Sequence, residues 1–296
     1  MIVSNLAGGL GNQMFQYACA RTLALDLTLP LKFTVDTFRQ FDSYHQGPEL
    51  ERVFGLKLDV PDHVELRRLV GVGRTHPKVR RLIAQRPFSW LGKSKFLSEP
   101  DFRYWSKLRP LAIDGAYLHG YWQSEKYFSD HADLIRADFT PRAALSGKNL
   151  ALAQMIANRH SISIHVRRGD YVSNAKTLAT HGTCSPEYYF MAIEIILQKF
   201  PGARLIAFSD DPQWVSQVLL PRYPELVLVD HNNGLDSYND MRLMSMCQHH
   251  IIANSSFSWW GAWLNPSQDK VVIAPRDWFL KVTDDRDLIP TSWIRI

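Results

Sequence analysis

Two arginines stand side by side in SISIHVRRGDYV, residues 161–172, directly after six residues that alternate small polar and apolar side chains. The alternation reads as a strand, so Arg167 and Arg168 sit at its mouth, followed by Gly169 and Asp170. Guanidinium forks match phosphate oxygens and stay ionised at any working pH, which suits an adjacent pair to holding an anion. Gly169 lets the backbone turn tightly, and Asp170 could brace one arginine. A purely structural Asp170–arginine pair would leave the second positive charge unexplained. His165, at the strand end beside the arginines, is a further candidate ligand contact. A second anion cradle is written in ANSSFSWWGAW, where Asn254, Ser255 and Ser256 precede a helix whose first N–H groups lack partners. Two phosphate-shaped sites point to a diphosphate.

GGLGNQ, near the start, raises a different possibility. Gly9 and Gly11 follow a strand, and Asp36 closes the next one, as in a dinucleotide site. The third glycine position is Met14, where close helix–strand packing wants no side chain. A tight turn with no ligand and a backbone contact with a ligand both remain open for this loop. No G-x-x-x-x-G-K-[ST], G-x-S-x-G or H-E-x-x-H occurs. The lone D-x-D, Asp285-Arg-Asp287, lies in a run of mixed charge and reads as surface, so no metal site is expected.

These residues need elements to hold them. From about residue 150, strand and helix patterns alternate: SISIHV, PEYYFMAIEIILQKF, ARLIAFSDD, PQWVSQVLL, ELVLVD, DSYNDMRLMSMCQ, HIIANSS, SFSWWGAWL and KVVIAP. That rhythm demands a parallel sheet with crossover helices, whose ligands bind beyond the carboxyl ends of the strands. Loops 167–170, 209–211 and 254–256 should therefore share one sheet edge. The first region opens with a strand from Ile2 to Leu6, a glycine turn, a helix from about Asn12 and a strand over 31–36. The pattern weakens through 40–130, where Phe102, Tyr104, Trp105, Tyr117, Tyr121, Trp122, Tyr127 and Phe128 supply core and, as flat faces, surfaces for sugar rings. Trp259, Trp260 and Trp263 read as core packing, and His249 and His250 as structural. The polar stretch PRAALSGKN suggests domains over 1–148 and 149–296.

The chain has 296 residues, 46% hydrophobic and 21% charged, enough to bury a large core. No run of about 18 apolar residues codes a membrane span. Met1 leads straight into a strand, without a basic-then-apolar leader, and the three distant cysteines form no C-x-x-C pair. A cytoplasmic protein without disulfides or zinc is expected. The net charge of +5 is uneven: residues 67–95 hold nine cations and no acid, with PKVRRLIAQR reading as a basic amphipathic helix. Such a stretch is a solvated face, or a surface for peripheral contact with an anionic membrane.

GGLGNQMFQYA, HVRRGDY, FSDD and DMRLMSMCQHHIIANSSFSWWGAWLN, in this order and with HQGPELERVFGL and GYWQSEKYF between them, resemble the α-1,2-fucosyltransferases of glycosyltransferase family 11. The resemblance spans nearly the whole chain. It implies a GT-B-type α/β fold, with two Rossmann-like domains facing a cleft and a C-terminal domain that holds GDP-β-L-fucose. It further implies inverting, metal-independent transfer to the 2-hydroxyl of a terminal galactose on an oligosaccharide acceptor, with no cofactor and no nucleic-acid partner. Under it Arg168 holds the diphosphate, and Asp240 reads guanine through N1–H and the 2-amino group. Ser255, Ser256 and Phe257 form the β-phosphate loop. Asn12 lies across the cleft near the fucose or phosphate, with Gln13 counted among the donor contacts. The base on the acceptor hydroxyl stays open among Asp170, Glu125, His45 and the leaving phosphate itself.

Two rival classes are weaker. A dinucleotide-dependent oxidoreductase would use GGLGNQ and Asp36 but leaves HVRRGDY without a purpose. A non-enzymatic binder of acidic glycan or nucleic acid would use the basic 67–95 stretch.

Overall fold

The computed structural model describes residues 1–40, 46–71, 75–84, 95–169, 178, 182–280 and 284–296, with backbone alone at 39 and 40. Contacts divide the chain into two units, Met1–Arg142 with Asp284–Leu288, and Ala143–Thr283 with Ile289–Ile296. The polar stretch before residue 150 suggests only one cut, between 148 and 149. The second crossing, at 284–288, has no composition shift to mark it.

In the first unit, β1 (Ile2–Asn5), β2 (Leu31–Thr34), β3 (Phe96–Ser98) and β4 (Ala116–His119) form a parallel sheet in the order β2-β1-β4-β3. Its helices are α1 (Leu10–Asp26), α2 (Asp36–Gln40), α3 (Leu50–Phe54), α4 (His63–Val70), α5 (Pro77–Ile83), α6 (Leu108–Leu111) and α7 (Ala132–Asp138). Strand β1 lies between two neighbours and is buried throughout. Helix α1 starts two residues earlier than expected, and Tyr17 on it stacks against Phe33 of β2 with centroids 5.6 Å apart. Weak periodicity over 40–130 has a simple cause: helices of four to eight residues and a three-residue strand are too short to display one.

Three expectations change here. Asp36 does not end a strand; it opens α2 and pairs with the Arg80 guanidinium at 2.6 Å. Arg80, in the middle of the basic stretch, points inward: it is 2% exposed and lies over the Tyr117 ring, 5.3 Å from its centroid. Burial of that cation requires its carboxylate partner, so the solvated basic face is reduced to Arg67, Arg68, Lys78, Arg81 and the half-buried Lys95 among the described residues. Arg74, Arg86 and Lys93 lie outside them. Asp287 is not a surface residue: it is largely buried, takes the Lys126 ammonium and accepts from the Tyr104 N–H at 2.9 Å. Of the aromatics between 102 and 128, Tyr117, Trp122, Tyr127 and Phe128 are core, with Trp122 fully buried between Trp105 and Tyr127, whereas Tyr104 and Tyr121 are exposed.

The second unit holds α8 (Gly147–Asn158), β5 (Ser161–Val166), α9 (Pro186–Lys199), β6 (Arg204–Ser209) and α10 (Pro212–Val218). After these come β7 (Val227–Val229), α11 (Tyr238–Met246), β8 (His249–Ile251), α12 (Ser256–Trp263), β9 (Val272–Ala274) and β10 (Ile294–Arg295). All six strands run parallel in the order β10-β9-β8-β5-β6-β7. Two of the expected helices, α9 and α10, are punctuated by their own chemistry. Ser185 and Asp211 accept from the N–H groups of Tyr188 and Trp214, and a proline follows each cap. Ile162, Ile164 and Val166 of β5 pack with Tyr189, Ile193 and Ile196 of α9. Each fully buried aliphatic contributes about 1.5–3 kcal/mol. Trp259, Trp260 and Trp263 are core, as expected. His250 is fully buried and bonded to Ser163 and Asn265, a structural role. Among the described residues no helix is long and apolar enough to cross a membrane, and the three cysteines are free and buried.

Candidate functional site

Strand β5 is flanked by β6 and β8, so the loops after these three parallel strands leave the sheet side by side. The sequence expectation of one shared edge holds. In parallel sheets this carboxyl edge is where ligands bind.

Arg167 and Arg168 follow β5 and meet the loop after β6. Arg167 Nη1 lies 2.9 Å from Asp210 Oδ2, and the backbone N–H of Arg168 donates to Asp210 Oδ1 at 2.8 Å. Arg168 Nε donates to Asp211 Oδ2 at 3.2 Å, while its guanidinium carbon stands 4.9 Å from the centre of the Trp214 ring. The expected surplus of positive charge is therefore corrected: two aspartates from the β6 loop face the two arginines, whereas Asp170 lies outside the described residues. What remains is directional. Arg168 is gripped by its Nε and its face, and among the described residues neither terminal nitrogen, Nη1 nor Nη2, makes a hydrogen bond. A planar fork held from behind can take two oxygens of one phosphate.

Beside it, the loop after β8 leads into α12. Ser255 caps that helix in extended conformation, yet its side chain accepts no capping bond, and Ser256 opens the first turn. The first N–H groups of the helix thus remain available to an anion. Asn254 is buried and donates to the Trp278 carbonyl at 3.3 Å, which makes it a brace for the loop. Phe257 packs on the His165 ring, with centroids 5.5 Å apart. His165 is buried, and burial pushes its pKa down to about 4, the Asp210 charge opposing and Arg167 assisting. It is neutral at working pH, and among the described residues its Nδ1 finds no hydrogen-bond partner.

Asp240, in the first turn of α11, is 8% exposed. Its Oδ1 accepts from Asn232 Nδ2 at 2.7 Å, and Asn232 is cross-bonded to Asn149 of α8. Burial raises the Asp240 pKa to about 7, and the Asn232 bond only partly offsets this. Among the described residues its second oxygen has no hydrogen-bond partner.

The first unit carries the other expected residues. Asn12 Oδ1 accepts from Gln123 Nε2 at 2.7 Å, which stitches the GGLGNQ loop to the loop after β4. Gln13 is fully buried, and its amide is spent on the backbone: it donates to the Gly8 and Gly47 carbonyls, each at 2.9 Å, and accepts from Glu49 N–H at 2.8 Å. These bonds give it a structural task in the loop. Glu125 opens a single turn of 3-10 helix, capped by Ser124. His45 lies outside the described residues. Sequence reasoning missed Glu99, which follows β3 and accepts from the N–H groups of Tyr121 at 2.7 Å and Trp122 at 2.9 Å. Burial raises its pKa to about 7. Also missed were the pairing roles of Asp210 and Asp211; the signal was present in FSDDP, where acids at a strand-to-helix turn stand level with the arginines of the neighbouring strand. Among the described residues no group of three or more His, Cys, Asp or Glu side chains is placed to hold a metal ion.

Comparison with known proteins adds four likenesses. The profile of Glycosyl transferase family 11 matches residues 105–295. The chain is 34% identical to the alpha-1,2-colitosyltransferase of Escherichia coli, over 100% of this chain and 99% of that protein. It is 32% identical to the O-antigen biosynthesis glycosyltransferase WbnK of Escherichia coli, over 99% of each. Fucosyltransferase NodZ from Bradyrhizobium shares the GT-B-type α/β fold, with a TM-score of 0.53 over 90% of this chain and 93% of that one at 16% identity.

Proposed function

The chain belongs to glycosyltransferase family 11, and on that footing we propose that it is an inverting, metal-independent transferase moving L-fucose from GDP-β-L-fucose to the 2-hydroxyl of a terminal galactose. The observation that carries this reading is Arg168, held at Nε by Asp211 and on its face by Trp214, with neither terminal nitrogen hydrogen-bonded among the described residues. As the bond from the fucose anomeric carbon to phosphate breaks, negative charge gathers on the departing GDP. Fixed donors that need no reorganisation meet that charge best. The Arg168 fork and the first N–H groups of α12, on adjacent strand ends, supply such donors. Asp240 suits the guanine: its open oxygen, with the one already bonded to Asn232, can accept from N1–H and the 2-amino group. The oxidoreductase alternative loses its ribose-reading acid, since Asp36 is committed to Arg80.

A second reading concerns the sugar alone and rests on the full-length likeness to a colitosyltransferase. Colitose is L-fucose without its 3-hydroxyl. A site that bonds that hydroxyl rejects the deoxy sugar by roughly 10⁴–10⁵, whereas an apolar pocket discriminates only about a hundredfold. Purified protein is to be supplied with GDP-L-fucose or GDP-colitose and with galactose-terminated disaccharides, with and without EDTA. Transfer of fucose, unaffected by the chelator, is expected. Preference for colitose would move the donor assignment, and loss of activity with EDTA or failure with both donors would overturn the proposal.

A further inference from the structure

Asp240, the acid read above as facing guanine, is backed by a chain of amides that fixes more than its place. We infer that Asn149 and His231 are positioning residues for base recognition: acting through Asn232, they hold Asp240 as a hydrogen-bond acceptor, the polarity that a purine with an N1–H and a 2-amino group demands. The inference rests on the nucleotide-sugar reading above and concerns the second unit alone.

The four side chains are bonded in series. His231 Nε2 lies 2.8 Å from Asn149 Oδ1. Asn149 and Asn232 meet amide to amide: Asn149 Nδ2 donates to Asn232 Oδ1 at 2.8 Å, and Asn232 Nδ2 donates to Asn149 Oδ1 at 2.9 Å. The second hydrogen on Asn232 Nδ2 goes to Asp240 Oδ1 at 2.7 Å. Three elements bring them together. His231 and Asn232 follow the carboxyl end of β7, and Asp240 lies in the first turn of α11. Asn149 lies in the first turn of α8, a helix that packs on α11 and leads into the amino end of β5. The series therefore stands at the sheet edge where ligands bind.

The bonds allow one polarity. Asn232 is buried, and its oxygen and both its amide hydrogens are engaged, as buried amides require. Turned over by itself, Asn232 would set its oxygen against two acceptors, Asn149 Oδ1 and Asp240 Oδ1. Turning both amides together would restore their mutual bonds but present an oxygen to Asp240, which suits a protonated acid and repels a carboxylate. A hydrogen on His231 Nε2 excludes that arrangement, because a reversed Asn149 would meet it with an N–H of its own.

The choice decides which base fits. Burial pushes Asp240 towards its protonated form, and the Asn232 N–H opposes this. A carboxylate accepts from both guanine donors, whereas a protonated acid offers one donor and one acceptor, the pattern that pairs with adenine N1 and its 6-amino group. Apolar side chains of the same shape would pack here at little or no cost, so the amide series answers a need for orientation.

Calorimetry with GDP and with ADP tests the inference on the full chain, in the wild type, Asn149→Leu, His231→Phe, His231→Gln and Asp240→Asn. The ratio of GDP to ADP affinity should fall roughly tenfold in Asn149→Leu and His231→Phe, the size of one hydrogen bond to a charged group. His231→Gln, whose amide N–H can donate from the place of Nε2, should keep the ratio within about threefold of wild type. Equal weakening of both nucleotides in Asn149→Leu and His231→Phe would mark a structural role and overturn the inference. So would an unmoved ratio in His231→Phe, or a His231→Gln variant no better than His231→Phe. Should Asn149→Leu fail to fold, the two His231 variants decide the matter. An unmoved ratio in Asp240→Asn alone would remove that acid from base recognition and the series with it. A wild type without preference for GDP would strike the nucleotide reading itself.

Discussion

Arg168 Nε and Asp211 Oδ2 lie 3.2 Å apart, across the ends of two adjacent parallel strands. Asp211 also caps α10 by accepting from Trp214 N–H at 3.1 Å, so one carboxylate fixes both the rear of the guanidinium and the helix carrying the ring beneath it. The arginine is thereby aimed before any ligand arrives, and preorganised donors of this kind do most for a developing anion.

Arg168→Lys removes the fork and leaves a point charge. Transfer should fall roughly 10²–10³-fold, with a melting temperature close to wild type because the side chain is partly exposed. GDP-fucose kinetics and thermal unfolding measured on one preparation check both halves.

Gly169→Ala tests the aim at one remove. An added Cβ would stand 2.8 Å from Asp210 Oδ2, so that carboxylate must swing away from Arg167 and from the Arg168 N–H. Because the clash is with the end of a side chain, the fold should survive. GDP affinity should drop about tenfold, equivalent to one hydrogen bond to a charged group, readable by calorimetry.

Asp240 gives a pH signature. Its folded pKa of about 7 stands above the ordinary aspartate value of 3.8, so the native state binds a proton more tightly than the unfolded chain. Stability should therefore decline as pH rises from about 4 to about 7, then level off. Glu99, raised from 4.5 to about 7, adds a slope of the same sign. Asp240→Asn should remove its share, making the ligand-free protein more stable than wild type at pH 8 and not at pH 4. The same change should weaken GDP binding and blur guanine-over-adenine preference. Urea titrations at the two pH values and nucleotide calorimetry measure these outcomes.

Gln13→Ala separates a structural task from a ligand contact. It takes the side-chain partner from Glu49 N–H and from the carbonyls of buried Gly8 and half-buried Gly47, which should cost about 2–4 kcal/mol of stability. GDP affinity should stay unchanged. A weakened affinity with unchanged stability would return Gln13 to the donor site.

What the sequence disclosed follows element length and chemical punctuation. The alternation in SISIHV and the Ser185-Pro186 and Asp211-Pro212 starts placed the second sheet and its binding edge, because each element is long enough to show a period or carries its own cap. Strands β3 and β10, of three and two residues, show neither. Glu99 was invisible for that reason: no pattern marks the strand it follows, and its environment is assembled from a glycine and a left-handed tryptophan about twenty residues downstream. The arginines were found, but their partners were not, since ion pairing across neighbouring strands depends on register.

Residues 284–288 return to the first unit before the chain ends in the second. Neither half of this enzyme is therefore a contiguous gene fragment. A truncated chain stopping at 142 would lack Asp287, leaving Lys126 and the Tyr104 amide without their acceptor, and one spanning 143–296 would carry that orphaned loop in solvent. Swapping the second unit between relatives thus calls for two junctions, with the short returning loop kept alongside the half it serves.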